Sequence, residues 1–111
     1  MTIQGLTMLS NLLYIMYVKY HMKNRSKTEI IASILETASG HGATRTKIMY
    51  GSFLSFTQLK EYLSLLPANG LLRYQAAERI YTTTEKGRHF LQIYNQISDL
   101  IHIRQREVVK R

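Results

Sequence analysis

Thr44-Arg45-Thr46-Lys47-Ile48-Met49-Tyr50-Gly51-Ser52-Phe53-Leu54-Ser55-Phe56-Thr57-Gln58 holds two helix starts and one helix stop in a single short stretch. Thr44 is a good N-cap, because its hydroxyl can accept a backbone N–H that the first turn of a helix leaves without a partner. Gly51 is a good stop. The spacing therefore predicts a short helix between them, with Ile48 and Met49 facing inward. Ser55 and Gln58 have the form of a capping box, in which the hydroxyl takes the N–H of Gln58 and the amide reaches back to Ser55. Phe56, Leu59, Tyr62, Leu63 and Leu66 follow at helical spacing. Pro67 removes a donor and Asn69-Gly70 turns the chain, so this second helix is predicted over 56–66. The two helices are joined by Gly51-Ser52-Phe53-Leu54.

Upstream, Ile30, Ile31, Ile34, Leu35 and Ala38 form the apolar stripe of an amphipathic helix. It begins at Ser26 or Lys27, carries Glu29 in its first turn where the helix dipole favours an acid, and ends at Gly40-His41-Gly42. Ala43-Thr44 can supply a very short strand. Downstream of Gly70 the period changes to two. Leu72, Tyr74, Ile80 and Thr82 are expected on one side of a β-hairpin and Arg73, Arg79, Tyr81 and Thr83 on the other, with Gln75-Ala76-Ala77-Glu78 connecting the runs. Thr84 then caps a last helix with Glu85 in its first turn. Ile30, Ile34, Leu35, Ile48, Leu59, Leu63, Leu66, Leu72 and Ile80 are the predicted core.

The order helix, helix, turn, helix, hairpin, helix is that of a helix-turn-helix followed by a wing. The fold class is mainly α with a small β-hairpin, an α+β winged helix-turn-helix with an extended C-terminal dimerisation helix. The expected division is an apolar N-terminal segment over 1–22, the winged domain over 23–83 and the C-terminal helix over 84–111.

Residues 22–102 also resemble the small archaeal winged-helix DNA-binding proteins of about ten kilodaltons that dimerise through a C-terminal coiled coil. The carriers are Lys27-Thr28-Glu29-Ile30-Ile31, Thr46-Lys47-Ile48-Met49-Tyr50-Gly51, Leu54-Ser55-Phe56, Tyr62-Leu63, Gly70-Leu71-Leu72 and Thr84-Glu85-Lys86-Gly87. The run from Thr46 to Gly51 with Leu54-Ser55 is the most specific of these, whereas Thr-Glu-Lys-Gly is common among winged-helix domains. The resemblance implies a DNA-binding protein, either a sequence-specific regulator or a chromatin-like binder.

Fifteen Lys or Arg stand against seven Asp or Glu in 111 residues, a net charge of +8 that favours a polyanionic partner. In a helix-turn-helix the outer face of the second helix enters the major groove. About 180° from its core face of Phe56, Leu59, Leu63 and Leu66 lie Thr57, Lys60, Glu61 and Ser64. Ser55, Thr57 and Gln58 sit at its start, where Gln can pair with adenine and the Thr methyl can meet that of thymine. Lys60 can reach a phosphate or a guanine, and Glu61 opposes it. Arg45 and Lys47 are assigned to phosphates along the helix that crosses the DNA backbone, Arg73 and Arg79 to the wing, and Lys23, Arg25 and Lys27 to a basic arm. A polar helix face is most often merely solvated, and Tyr62 is read as core packing. A winged module that binds protein instead of DNA is the rival from another class.

Phe90, Tyr94, Ile97, Ile101 and Val108 recur at fours and threes as a seam for a second copy. A helix from Thr84 to near Val108 is about 36 Å long, longer than a domain of this size is wide, so its far end should protrude and pair as a homodimer.

Residues 1–22 stand apart. Leu12-Leu13-Tyr14-Ile15-Met16-Tyr17-Val18 is an unbroken apolar run ended by Lys19. It falls short of the about 20 residues that a membrane span needs, and it lacks a secretory cleavage pattern. An extra packed helix, an interfacial anchor, and a leader ahead of a start at Met22 remain as readings, the anchor being the least favoured. A membrane role ranks last.

There is no Cys, which removes disulfides, thiolate metal sites and a cysteine nucleophile and fits a reducing cytoplasm, where a nucleoid-associated protein would work. His21, His41, His89 and His102 lack the spacing of a helical metal pair, and no phosphate-binding glycine loop occurs. No metal, cofactor or catalytic residue is expected, and the chain is not read as an enzyme.

Overall fold

The computed structural model describes Leu12, Leu13, Met16 and residues 25–109, with side chains as far as Ile101. The expectations placed on the rest of the N-terminal segment, on Lys23 and on the Val108 side chain lie outside the described residues. The elements are α1 (Lys27–Thr37), α2 (Arg45–Gly51), α3 (Phe56–Ala68), β1 (Leu72–Gln75), β2 (Ile80–Thr83) and α4 (Glu85–Val109).

Each of the three domain helices opens on the cap that its sequence provides. The Ser26 hydroxyl accepts from the Glu29 N–H at 3.1 Å, and the Thr44 hydroxyl from the Lys47 N–H at 3.2 Å. At α3 both halves of the capping box form. The Gln58 N–H donates to Ser55 Oγ at 3.1 Å and the Ser55 N–H to Gln58 Oε1 at 3.0 Å. A helix opening this way leaves two fewer orphan donors and has a fixed entry angle.

α3 does not stop at Leu66 but runs through Pro67 to Ala68. Pro67 removes one N–H from the last turn only. The end is then closed by Leu71 N–H to Leu66 C=O at 2.9 Å and Gly70 N–H to Pro67 C=O at 3.0 Å, with Gly70 at φ +72. This is the paired closure that a left-handed glycine allows, and it satisfies the carbonyls that would otherwise be orphaned.

The hairpin forms, but its connection sits one residue later than expected, over 76–79. Its register is Leu72↔Thr83, Arg73↔Thr82, Tyr74↔Tyr81 and Gln75↔Ile80. Directly paired residues share a face, so Leu72, Tyr74, Tyr81 and Thr83 lie on one side and Arg73, Gln75, Ile80 and Thr82 on the other. A shift of one residue flips the side of every residue in β2. Ile80 is accordingly half-buried against the Gly42 loop rather than a member of the core. Arg79 closes the turn at φ +55, a conformation that a side chain disfavours.

The core is made by Ile30, Ile34, Leu35, Ala38, Ala43, Ile48, Leu54, Leu59, Tyr62, Leu63, Leu66 and Leu72. Phe56, expected on the core face of α3, is 62% exposed. It occupies the first helical position, at the end of the turn, beyond the elements that cover Leu59 and Leu63. Ala43 supplies the short third strand, exchanging hydrogen bonds with Tyr81 at 2.9 and 2.8 Å. β2 is tied to α1 by Thr83, whose hydroxyl donates to Leu35 C=O at 2.5 Å.

α4 starts under the Thr84 hydroxyl, which accepts the Gly87 N–H at 3.1 Å. Gly87 admits a very close approach, since a Cβ there would lie 2.5 Å from Leu71 O and 2.7 Å from Thr83 Cγ2. Phe90 and Leu91 pack on the core. Farther along, Ile93, Ile97, Leu100 and Ile101 are exposed.

Candidate nucleic-acid interface

The turn between α2 and α3 is built from inside. Ser52 is fully buried and its N–H donates to Ile48 C=O at 2.9 Å, while the Leu54 N–H donates to Met49 C=O at 2.9 Å. Phe53, at φ +54, takes the left-handed position that reverses the chain. Arg25 crosses to this turn and donates to the carbonyls of Ser52 and Phe53. Expected in a basic arm, Arg25 instead serves as a brace for the turn. Burial lowers its pKa, and Glu29 opposes that shift. No local pattern betrays this role, because the partners lie more than twenty-five residues away in sequence.

The braced turn sets the start of α3 at the surface. Thr57, Gln58, Lys60, Glu61 and Ser64 are all exposed, as the helical spacing predicts. Lys60 Nζ lies 5.7 Å from the centroid of the exposed Phe56 ring, within range of a cation–π contact. Gln58 Oε1 is engaged by the Ser55 N–H, so its N–H₂ is the part of the amide left to point outward. Arg45 and Lys47 are exposed on α2, the helix packed next to α3.

Sequence reasoning does not foresee that Tyr50, Phe53 and Phe56 stand exposed around the turn. Helical spacing assigns Phe56 to the core, and nothing marks Phe53 as a left-handed residue.

The two wing arginines part company. Arg79 lies in the connecting turn with Glu78, whereas Arg73 is on the outer hairpin face and looks toward the first turn of α4. On α4, Phe90 and Tyr94 are half-buried on their own domain, and Ile97 and Ile101 are 52% and 53% exposed. Burial raises the Tyr94 pKa above its ordinary value, with Glu29 and Glu36 adding to the shift. Burial raises that of Tyr62 as well, with Glu61 adding to it. Among the described residues no cluster of three or more His, Asp or Glu is placed to hold a metal. Among them also, no helix is long and apolar enough to cross a membrane.

Comparison with known proteins agrees with this architecture. No curated protein matches the chain. Among solved structures it is similar to Sso10a-2, a DNA-binding protein from Sulfolobus solfataricus. The TM-score is 0.59 at 23% sequence identity, covering 78% of this chain and 95% of that one. At that identity the likeness shows the fold, and it agrees with the resemblance to small archaeal winged-helix proteins. The sequence pattern of the winged helix-turn-helix family matches residues 24–102, which takes in all three domain helices, the hairpin and most of α4. The chain belongs to the winged helix-turn-helix family.

Proposed function

We propose that this protein binds double-stranded DNA as a homodimer and acts as a transcriptional regulator, with the outer face of α3 in the major groove. The observation that carries this reading is the exposed polar start of α3, Thr57-Gln58 with Lys60, beside Arg45 and Lys47 of α2 in a chain of net charge +8. A helix start offered to a groove, flanked by cations able to displace counterions from phosphates, is the arrangement that the fold uses on duplexes. Ser55, Thr57, Gln58, Lys60 and Ser64 form the groove-facing set. Arg45 and Lys47 meet phosphates, and Arg73 and Arg79 serve the wing. That Sso10a-2 is a DNA-binding protein adds support. The exposed Ile97 and Ile101 support pairing along α4, with Tyr94 at its inner end and Phe90 held by the domain itself.

A gel-shift titration with random and selected duplexes at two salt concentrations tests the reading. Binding that weakens with salt and favours one selected sequence by a thousandfold or so supports a regulator. Binding with little preference identifies a chromatin-like role. No binding even in dilute buffer removes the proposal. The exposed aromatic trio Tyr50, Phe53 and Phe56 favours a second reading, a winged module that docks protein at the same turn.

A further inference from the structure

A cavity of about 370 Å³ opens between the outer hairpin face and the first turn of α4, and no residue of α2 or α3 lines it. Its lining has no Leu, Ile, Val, Met or aromatic residue. Small-molecule pockets are mostly apolar, so a mainly polar one selects a strongly hydrated ligand that brings its own hydrogen-bonding groups. Arg73 from β1 and Arg88 from α4 both border it. Arg88 is steadied by one bond, Nη1 to Thr83 C=O at 3.1 Å, and its remaining N–H groups are left over. The Arg73 guanidinium has no hydrogen-bonding or ionic partner among the described residues. The Thr83 and Thr84 hydroxyls donate to Leu35 C=O and Gly70 C=O, so they have no proton left to offer the cavity.

Two guanidinium forks at one cavity match a phosphate, which accepts paired N–H bonds in a plane. The third charged group is the carboxylate of Glu85. An ionised carboxylate only accepts hydrogen bonds. It repels a phosphate group set against it and accepts from hydroxyls a few ångströms away, so it favours a phosphate ester that carries such hydroxyls. The sugar–phosphate chain of DNA has no such hydroxyls along its length. We propose that this cavity binds a phosphorylated sugar or polyol, with Arg73 and Arg88 on the phosphate and Glu85 on the hydroxyls. The site shares Arg73 with the DNA reading, whereas Arg88 and Glu85 belong to the cavity alone.

Amide NMR titration of the full chain tests it, with ribose phosphate, ribose, inorganic phosphate and a short duplex as separate probes. Ribose phosphate should shift the signals of Gly40, Arg73, Thr82 and Arg88 saturably, at least about tenfold more tightly than ribose or inorganic phosphate. Arg73→Gln, on an exposed strand face, should weaken that binding about tenfold or more. Glu85→Gln should narrow the preference for ribose phosphate over inorganic phosphate. The proposal is overturned if ribose phosphate leaves these signals unmoved, if inorganic phosphate binds equally well, if only the duplex moves them, or if Arg73→Gln binds as the wild type does. DNA binding is read separately by gel shift, so either reading can fail while the other stands.

Discussion

The carboxamide of Gln58 serves the helix before it can serve a ligand. Its Oε1 holds the Ser55 N–H, and pairing with both edge groups of an adenine requires that bond to be shared or released. The ammonium groups of Lys60 and Lys47 hold no such hydrogen bond, and that of Lys60 only faces the exposed Phe56 ring, so the two give the cleaner test. Lys60→Ala or Lys47→Ala should weaken binding to every duplex and make the salt slope shallower by about 0.9 for each phosphate no longer neutralised. Unchanged binding in both variants would mean that the groove-facing surface lies elsewhere. At Tyr94 the expected effect is on stability. Its pKa is raised in the folded chain above the ordinary 10.0, through burial first and the nearby Glu29 and Glu36 second. The unfolded chain therefore loses this proton at lower pH than the folded one. The stabilising contribution is present below pH 10 and drains away as pH climbs through the folded value. Denaturant midpoints measured across the alkaline range should fall less steeply for Tyr94→Phe than for the wild type.

Among the elements, those governed by neighbouring residues are legible in the sequence and those governed by distant ones are not. Thr44 and Ser55 cap as their positions predict, and Ser26 caps the helix expected to begin at Ser26 or Lys27, because a cap involves only the three residues that follow it. The end of α3 is hidden, since Gly70 and Leu71 close the helix on the far side of a proline that by itself signals a stop. The hairpin turn lies one residue beyond its expected place because it ends on Arg79, a left-handed residue without the Asn-Gly signature that marks such positions. Of the candidate site, the exposed face of α3 follows from helical geometry, while the Arg25 brace and the exposed aromatics require the turn to be folded. The junction of hairpin and α4 gives an element-scale prediction. Alanine usually favours a helix over glycine by about 1 kcal/mol. At Gly87 the added methyl group would meet Leu71 O at 2.5 Å, backbone that has little room to yield. Gly87→Ala should therefore destabilise the fold by about 1–3 kcal/mol in chemical denaturation, against its helix propensity.

For the whole molecule, the question is what the far half of α4 is for. The helix has 25 residues, about 37 Å at 1.5 Å each, and its apolar side chains pass from half-buried at Phe90 and Tyr94 to exposed at Ile97, Leu100 and Ile101. Replacing Ile97 and Ile101 with Asp should yield monomers by sedimentation while leaving the domain folded. Dimers that survive the change would place the contact on another surface. The tight seat of Gly87 under Leu71 and Thr83 bears on what such a pair could do. It leaves no slack where α4 leaves the domain, so two copies joined at the far end would behave as callipers set to one gauge rather than as arms on a swivel. Moving two binding sites apart by half a turn of the duplex, about 5 base pairs, would rotate one of them to the opposite side of the DNA. A rigid pair could then grip only one site at a time.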